Sequence, residues 1–257
     1  MQESIIHRFN LTDKVAIITG TTRGIGQSLA KGLMEAGAKV IALDRSDNDY
    51  LKNYSLTIEA DFERIIIDLL TTTEKALAEI LTFIKEKYMH IDILVNNAGI
   101  SRRDEVEIFD EKDWNDVMKM NLQIPFYLSK IVSGYFIKQK SGKIINIASM
   151  LSFQGGLRVP SYTSSKHAIV GLTKSYANGL APYGINVNAI APGFMATSLT
   201  LPLQQDKKRN EEIINRIPNG RWGQPDDLKG ALIFLASSMS DYINGIIIPV
   251  DGGYLSR

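Results

Sequence analysis

The chain has 257 residues, of which 44% are hydrophobic and 22% are charged. This composition is typical of a folded globular protein, and it excludes a chain that is disordered or built mainly of membrane-spanning helices. Lysine and arginine total 29 against 28 acidic residues, so the formal net charge is +1. A net charge this small produces no strong positive electrostatic potential that would attract nucleic acid or an anionic membrane.

The chain contains no cysteine, which excludes disulfide bonds and thiolate chemistry. Its first residues, MQESIIHRFNLTDK, lack the basic and apolar regions of a secretion signal, and no run approaches 18 apolar residues. We therefore expect a soluble cytoplasmic protein with neither a membrane nor a nucleic acid as its partner.

Short apolar runs rich in β-branched residues recur along the chain, separated by longer segments with helical periodicity. They begin at Lys14, Lys39, Arg64, Ile91, Lys143, Ile185 and Gly245. None alternates between apolar and polar residues, as expected for strands of a parallel sheet that is covered by helices on both faces. The pattern predicts an α/β fold with a doubly wound, parallel, seven-stranded, Rossmann-like sheet in a single domain over residues 1–257.

The first predicted strand leads directly into the segment TGTTRGIGQSLAKGL. Its glycines allow a tight turn, and they let backbone N–H groups approach a pyrophosphate at the N-terminus of the following helix. The same turn could also be a packing turn without a ligand. The candidate cofactor residues of this turn are Gly20, Thr22, Arg23, Gly24, Ile25 and Gly26.

The second predicted strand ends at Asp44, which lies 18 residues beyond Gly26. A carboxylate here can accept hydrogen bonds from the adenosine ribose and would repel a 2′-phosphate, which favours NAD over NADP. Arg23 and Arg45 could instead pair with a phosphate. Asp44 could also simply initiate a turn, because polar residues follow it.

Tyr162 and Lys166 lie four residues apart at the start of a predicted helix, so their side chains share one face. A nearby ammonium group would lower the pKa of the phenol, and an oxidised nicotinamide ring would lower it further. Tyr162 is thus a candidate general acid and base for the interconversion of an alcohol and a ketone. Ser149, at the end of the fifth predicted strand, could hold the substrate oxygen. Alone, each residue could equally be structural.

The segment 195–220 is polar, predicted to be helical and longer than a plain crossover between two strands. It could form a cap over a substrate site or an ordinary surface helix pair. The three histidines, His7, His90 and His167, have no metal-ligand spacing, so no metal site is predicted.

Taken together, the motifs resemble the short-chain dehydrogenase/reductase family over nearly the whole chain. The glycine spacing is G-x-x-x-G-x-G, and the other signals follow in the family's order. The matching residues are Thr19, Gly20, Gly24, Ile25, Gly26, Asp68, Asn96, Asn97, Ala98, Gly99, Asn121, Ser149, Tyr162, Lys166, Pro192, Gly193 and Thr197.

This resemblance implies roles that the residues alone do not reveal. Asn121 would bind a water that links Lys166 to solvent, and Lys166 would also hold the ribose hydroxyls. Asp68 would meet the adenine and Thr197 the nicotinamide amide. The resemblance also implies a homotetramer. Further cofactor-site residues implied by it are Asn96, Ala98, Gly99, Pro192 and Gly193.

Longer stretches, including NIASMLSFQGGLRVPSYTSSK and RIPNGRWGQPDDL, resemble members of the family that act on deoxy-keto sugar acids in pectin and uronate breakdown. A sugar acid calls for guanidinium and amide partners. Candidate substrate residues are Arg102, Arg103, Gln154 and Arg158, with Arg221 also in a loop near the predicted cap. A gluconate 5-dehydrogenase or another sugar or polyol enzyme, a 3-oxoacyl reductase and a non-enzymatic nucleotide-binding scaffold are the alternatives.

Overall fold

The structure is a computed structural model that describes residues 4–257. All seven predicted strands are present in one parallel sheet with the order β3-β2-β1-β4-β5-β6-β7. The strands are β1 (Val15–Thr19), β2 (Lys39–Asp44), β3 (Phe62–Ile66), β4 (Ile93–Asn96), β5 (Gly142–Ile147), β6 (Ile185–Pro192) and β7 (Ile247–Val250).

Helices cover both faces of this sheet. They are α1 (Gly24–Glu35), α2 (Tyr50–Thr57), α3 (Glu74–Tyr88), α4 (Glu111–Met118), α5 (Ile124–Gln139), α6 (Pro160–Leu180), α7 (Leu201–Gln205), α8 (Lys207–Arg216) and α9 (Lys229–Ala236). A π-helical turn, Lys119–Gln123, joins α4 to α5.

Alternate residues of β1 face opposite sides of the sheet. Ala16 and Ile18 pack into one apolar core with residues of α1 and α9, whereas Val15 and Ile17 pack into a second core with α3, α5 and α6. Both faces of the strand are buried, which explains why the sequence shows continuous apolar runs. The predicted doubly wound, Rossmann-like fold is confirmed.

Helix starts follow local sequence signals. The side chains of Thr73, Asp110 and Asp206 accept hydrogen bonds from backbone N–H groups in the first turns of α3, α4 and α8. Pro160 opens α6, where its missing N–H costs nothing. These residues mark where the helices begin.

The strand order reverses between β1 and β4, which are neighbours in space although β2 and β3 lie between them in sequence. In open α/β sheets, ligands bind outside the carboxyl ends of the strands at this reversal. The glycine turn after β1 and the loop after β4 lie there, and the loops after β5 and β6 share the same edge.

The segment 195–220 forms α7 and α8 and has a small apolar core of its own. Ile213 and Ile217 pack with Trp222, Tyr254 and Met150. The two ends of the segment are joined, because Ala196 N donates to Gly223 O at 2.8 Å and Gly223 N donates to Phe194 O at 2.9 Å. The helix pair therefore rests on Met150, the residue after Ser149.

No helix within residues 4–257 combines the length and the apolar character needed to cross a membrane.

Candidate active site

The glycine turn has a shape that only glycine permits at two of its positions. Gly20 has φ +73°, and a Cβ atom on Gly26 would overlap the Gly20 carbonyl oxygen and the Asn97 side chain. The residue before α1, Arg23, makes no side-chain hydrogen bond to the helix N-terminus. The first N–H groups of α1 are therefore available to an anion, which fits the pyrophosphate of a dinucleotide.

Asn97 fastens this turn to the loop after β4. Its Nδ2 donates to the carbonyl oxygens of Thr19 and Gly20, both at 2.9 Å. The backbone N–H groups of Asn97 and Ala98 donate to Thr19 Oγ1 at 3.1 and 2.9 Å. The turn is therefore held in shape by the neighbouring loop.

Asn96 lies in the interior instead. Its Nδ2 donates to Asn146 Oδ1 at 2.8 Å and to Ser129 Oγ at 3.2 Å. Asn146 Nδ2 donates in turn to Thr173 Oγ1 at 2.9 Å. The structure thus gives the Asn96 side chain a role in joining β4, β5, α5 and α6, while its neighbour Asn97 supports the glycine turn.

Ser149, Tyr162 and Lys166 converge at the carboxyl end of β5. Lys166 Nζ donates to Ile147 O at 2.6 Å and lies 5.6 Å from the centre of the Tyr162 ring. The backbone of Lys166 is fixed as well, since Ser152 Oγ donates to its carbonyl oxygen at 2.5 Å. Tyr162 is partly accessible, whereas Ser149 and Lys166 are buried. A hydroxyl, a phenol and an ammonium group thus lie together at this edge of the sheet.

Burial controls the protonation of this group. It raises the pKa of Tyr162 above its usual value, and hydrogen bonding with Ser149 offsets part of that rise. Burial also lowers the pKa of Lys166 to about 8. The raised pKa of Tyr162 is opposite to the lowering expected from the sequence, because desolvation outweighs the ammonium group, which is directed at the Ile147 carbonyl.

Asn121 lies in the π-helical turn between α4 and α5, a geometry that often occurs at functional sites. Its Oδ1 accepts from Ile100 N, and its Nδ2 donates to Ile100 O, both at 2.9 Å. The same Nδ2 also donates to Ser165 Oγ at 3.1 Å. Asn121 therefore joins the loop after β4 to α6 beside Lys166.

The loop after β6 reaches the glycine turn. A Cβ atom on Gly193 would lie 2.6 Å from Asp251 Cα, so this position needs glycine. A Cβ atom on Gly24 would lie 3.5 Å from Thr197 Cγ2, which places Thr197 beside the start of α1. Pro192 ends β6.

The carboxylate of Asp68 accepts from Leu70 N at 2.9 Å and shapes the loop after β3.

Asp44 is buried at the end of β2 and is already bonded. Its Oδ1 accepts from Thr21 N at 2.5 Å, and its Oδ2 accepts from Thr21 Oγ1 at 2.6 Å and from Arg64 Nε at 2.8 Å. Arg64, on β3, is an ion-pair partner that the sequence reasoning missed. No local signal marks it, since the contact depends on how β2 and β3 pair.

The candidate substrate residues lie in two adjoining loops. Arg158 has φ +63°, its carbonyl oxygen accepts from Asp104 N at 3.1 Å, and its guanidinium group pairs with Glu105. Arg102 Nε lies 3.1 Å from Asp113 Oδ1. The contacts of Arg158 join the loop after β4 to the loop after β5, whereas the Arg102 pair ties the loop after β4 to α4.

The remaining candidates differ in exposure. Arg103 is exposed and Gln154 is half-buried. Arg221 lies at the base of the 195–220 segment, where its Nη1 donates to Asp227 Oδ2 at 2.7 Å. It lines a small cavity of about 180 Å³ there with Phe194 and Asp251. Arg221 thus has a structural contact next to the helix pair α7 and α8.

The histidines serve local contacts. His167 Nδ1 lies 3.0 Å from Thr163 O on the exposed side of α6, and His90 Nε2 lies 3.0 Å from Asp13 O. Across residues 4–257, no group of three or more histidine or acidic side chains is arranged to hold a metal ion.

The fold and this site define a class of protein. The chain matches the family model described as short chain dehydrogenase over residues 14–208. It belongs to the short-chain dehydrogenase family.

Individual relatives align with this chain over almost its full length. The chain is 49% identical to the 2-dehydro-3-deoxy-D-gluconate 5-dehydrogenase of Dickeya dadantii and 48% identical to that of Escherichia coli, with 98% of this chain and 100% of each relative covered. Among solved structures, a gluconate 5-dehydrogenase from Burkholderia cenocepacia in complex with NADP and tartrate is 37% identical with a TM-score of 0.94. The match covers 99% of this chain and 100% of that chain.

Proposed function

We propose that the protein is an NAD-dependent dehydrogenase that interconverts a secondary alcohol and a ketone on a deoxy-keto sugar acid. The substrate pair is 2-dehydro-3-deoxy-D-gluconate and 3-deoxy-D-glycero-2,5-hexodiulosonate. The observation that carries this proposal is the convergence of Ser149, Tyr162 and Lys166 beside a glycine turn that fits a dinucleotide. The two relatives named as dehydrogenases of this sugar acid support the substrate class.

The glycine turn, the N-terminus of α1 and Thr197 would hold the nucleotide, and Lys166 would hold its ribose hydroxyls. Bound NAD would accept the hydride from the alcohol carbon and, when reduced, return it. Asp44 favours NAD over NADP, because a carboxylate disfavours a 2′-phosphate nearby.

Tyr162 would take the hydroxyl proton during alcohol oxidation and return a proton to the carbonyl oxygen during reduction. Ser149 would hydrogen-bond the same substrate oxygen and keep it close to the phenol. Because burial raises the pKa of Tyr162, the phenol is protonated at neutral pH and is ready to act as an acid in reduction, whereas alcohol oxidation requires its phenolate form. The charged Lys166 would stabilise the phenolate that forms.

Arg158, or one of the Arg102 and Arg103 pair, would bind the substrate carboxylate, and Gln154 would bond a hydroxyl. The helix pair of residues 195–220 would cap the substrate, since it rests on Met150 next to Ser149. A place in pectin or uronate breakdown and a cytoplasmic location stay predictions from the sequence.

We also propose that the protein is a homotetramer, as the family resemblance implies. A groove of about 640 Å³ on α4, α5 and α6, which is lined by Met118, Leu122, Phe126 and Leu172, supports self-association. Light scattering coupled to size-exclusion chromatography would measure the mass, and a monomer would contradict this part of the proposal.

The nicotinamide absorbance band tests the proposed activity. Purified protein is assayed with 2-dehydro-3-deoxy-D-gluconate or gluconate, each with NAD and NADP, alongside the Tyr162→Phe variant. We expect turnover of the deoxy-keto sugar acid with NAD, reduced by about 10²–10⁴-fold in the variant. The second candidate function is that of a gluconate 5-dehydrogenase, which the similarity to the Burkholderia cenocepacia structure favours. Turnover of gluconate but not of the deoxy-keto sugar acid would support it. Full activity of Tyr162→Phe would overturn the mechanism.

A further inference from the structure

A buried arginine lies against the carboxylate that is expected to select the cofactor. Arg64 stands opposite Ala42 in the pairing of β2 with β3, and Asp44 is two residues further along β2 on the same face. The side chains of Arg64 and Asp44 are only 5% and 1% exposed, and Arg64 Nε lies 2.8 Å from Asp44 Oδ2. The pair is therefore shielded from solvent.

This contact limits what Asp44 can offer to a nucleotide. An ionised carboxylate has about four acceptor positions. Three of them are used, two by Thr21 and one by Arg64. Asp44 can therefore accept from no more than one ribose hydroxyl while these contacts hold, and its charge is already compensated. A compensated carboxylate repels a phosphate much less than a free one does.

Arg64 also organises the loop after β2. Its Nη1 donates to Asp47 Oδ1 at 2.6 Å and to the Asn48 carbonyl oxygen. Asn48 Nδ2 donates in turn to Thr22 O, in the glycine turn, at 2.6 Å. Arg64 therefore connects the buried carboxylate to the same turn that would hold the pyrophosphate.

Two buried polar atoms in this cluster have no hydrogen-bond partner: Arg64 Nη2 and Asn48 Oδ1. A buried group without a partner is costly, and such groups in native proteins call for an explanation. One unpaired donor and one unpaired acceptor thus lie in the cluster that contacts the glycine turn through Asn48. The exposed Arg23 and Arg45 lie in the loops on either side.

We propose that Arg64 determines cofactor specificity by positioning and neutralising Asp44, so that the site accepts the 2′-phosphate of NADPH as well as the free hydroxyl of NADH. The inference rests on the proposed function, because it requires a nicotinamide nucleotide at the glycine turn. Beyond that function, we infer that the site prefers NAD to NADP only weakly and that Arg64, on β3, is the cause of this weak preference.

Fluorescence titration of the full-length protein with NADH and NADPH measures both dissociation constants without any sugar acid. For the unaltered protein, we expect the two constants to agree within about tenfold. In Arg64→Gln, the uncompensated Asp44 should weaken NADPH binding by at least about tenfold more than NADH binding. Arg64→Lys, which keeps the charge, should recover part of the NADPH affinity.

Lys39→Gln is the matched control, because Lys39 pairs with Asp61 at 3.2 Å at the opposite end of the same two strands. We expect it to leave the ratio of the two constants unchanged. An unchanged ratio in Arg64→Gln, or an equal loss of both nucleotides, would overturn the inference, since either result would leave Arg64 with a structural role only.

Asp44→Asn provides an independent test should Arg64→Gln fail to fold. Without the carboxylate charge, Arg64 is free to meet a phosphate, so NADPH binding should tighten relative to NADH, and an unchanged or reversed ratio would contradict this. If the unaltered protein binds NADPH more than about 100-fold more weakly than NADH, the inference about Arg64 is overturned and the proposed function stands. Binding of neither nucleotide would overturn the proposed function with it.

Discussion

The nucleotide half and the substrate half of this sheet edge are held by different kinds of contact. Around the glycine turn, Asn97, Thr19 and Asp44 form hydrogen bonds that are buried or partly buried. In the loop after β4, the corresponding contacts are the ion pairs of Glu105 with Arg158, in the loop after β5, and of Arg102 with Asp113, in α4. Those side chains are between 41% and 48% exposed.

This difference indicates how each half would meet its ligand. Buried polar networks are costly to break, so the nucleotide half is already shaped for binding. Exposed ion pairs contribute only about 0–1 kcal/mol, so a carboxylate ligand can replace Glu105 as the partner of Arg158 at little cost. We therefore expect mutations in the first half to abolish binding and mutations in the second half to adjust KM.

The largest effect is expected for Gly26→Ala. The added Cβ would overlap the Gly20 carbonyl oxygen and the Asn97 side chain, so the turn must move. We expect nucleotide affinity, measured by NADH fluorescence, to fall by more than about 100-fold, with a loss of stability of about 1–3 kcal/mol.

Gly230→Ala is the matched control, because Gly230 lies near the start of α9 and no atom would contact its added Cβ within 4 Å. It should leave NADH binding unchanged and the stability equal or slightly higher. Gly26→Ala binding NADH as well as Gly230→Ala does would show that the turn is not preorganised.

A smaller effect is expected for Arg158→Leu. Loss of the guanidinium group should raise KM for the sugar acid by about tenfold and leave kcat within about threefold, because the lost contact holds substrate and transition state equally. Arg158→Lys should recover part of the affinity, and Arg103→Leu in parallel tests the other candidate. An unchanged KM would remove Arg158 from the substrate site.

The fold is predictable from the sequence because the strands are apolar on both faces, a pattern that local composition displays. Ser149, Tyr162 and Lys166 are also predictable from their motifs, and the structure brings them together. The bond between Arg64 and Asp44 is not predictable in this way, because it depends on the register of β2 against β3. The direction of the pKa shift of Tyr162 was wrong for a related reason: burial is a property of the folded chain, and desolvation dominates it.

The pH dependence of carbonyl reduction tests the nucleotide half through Lys166. Its pKa is lowered to about 8, so the ammonium group keeps its charge below that pH and loses it above. Tyr162, with a raised pKa, stays protonated across the same range. We expect kcat/KM for reduction to be level up to about pH 8 and then to fall by up to about tenfold per pH unit. A level profile through pH 10 would contradict either a pKa near 8 for Lys166 or a role for its charge in the reduction.

The smallest effect is expected for Glu105→Gln, and its sign distinguishes the two halves most directly. Glu105 and a substrate carboxylate would compete for the guanidinium group of Arg158, so removing the charge of Glu105 should lower KM by about threefold. Glu107→Gln, an exposed neighbour in the same loop, is the control and should change nothing. A higher KM in Glu105→Gln would mean that Glu105 holds Arg158 in place for the substrate. The substrate half would then be preorganised by its ion pairs in the same way that the nucleotide half is by its buried hydrogen bonds.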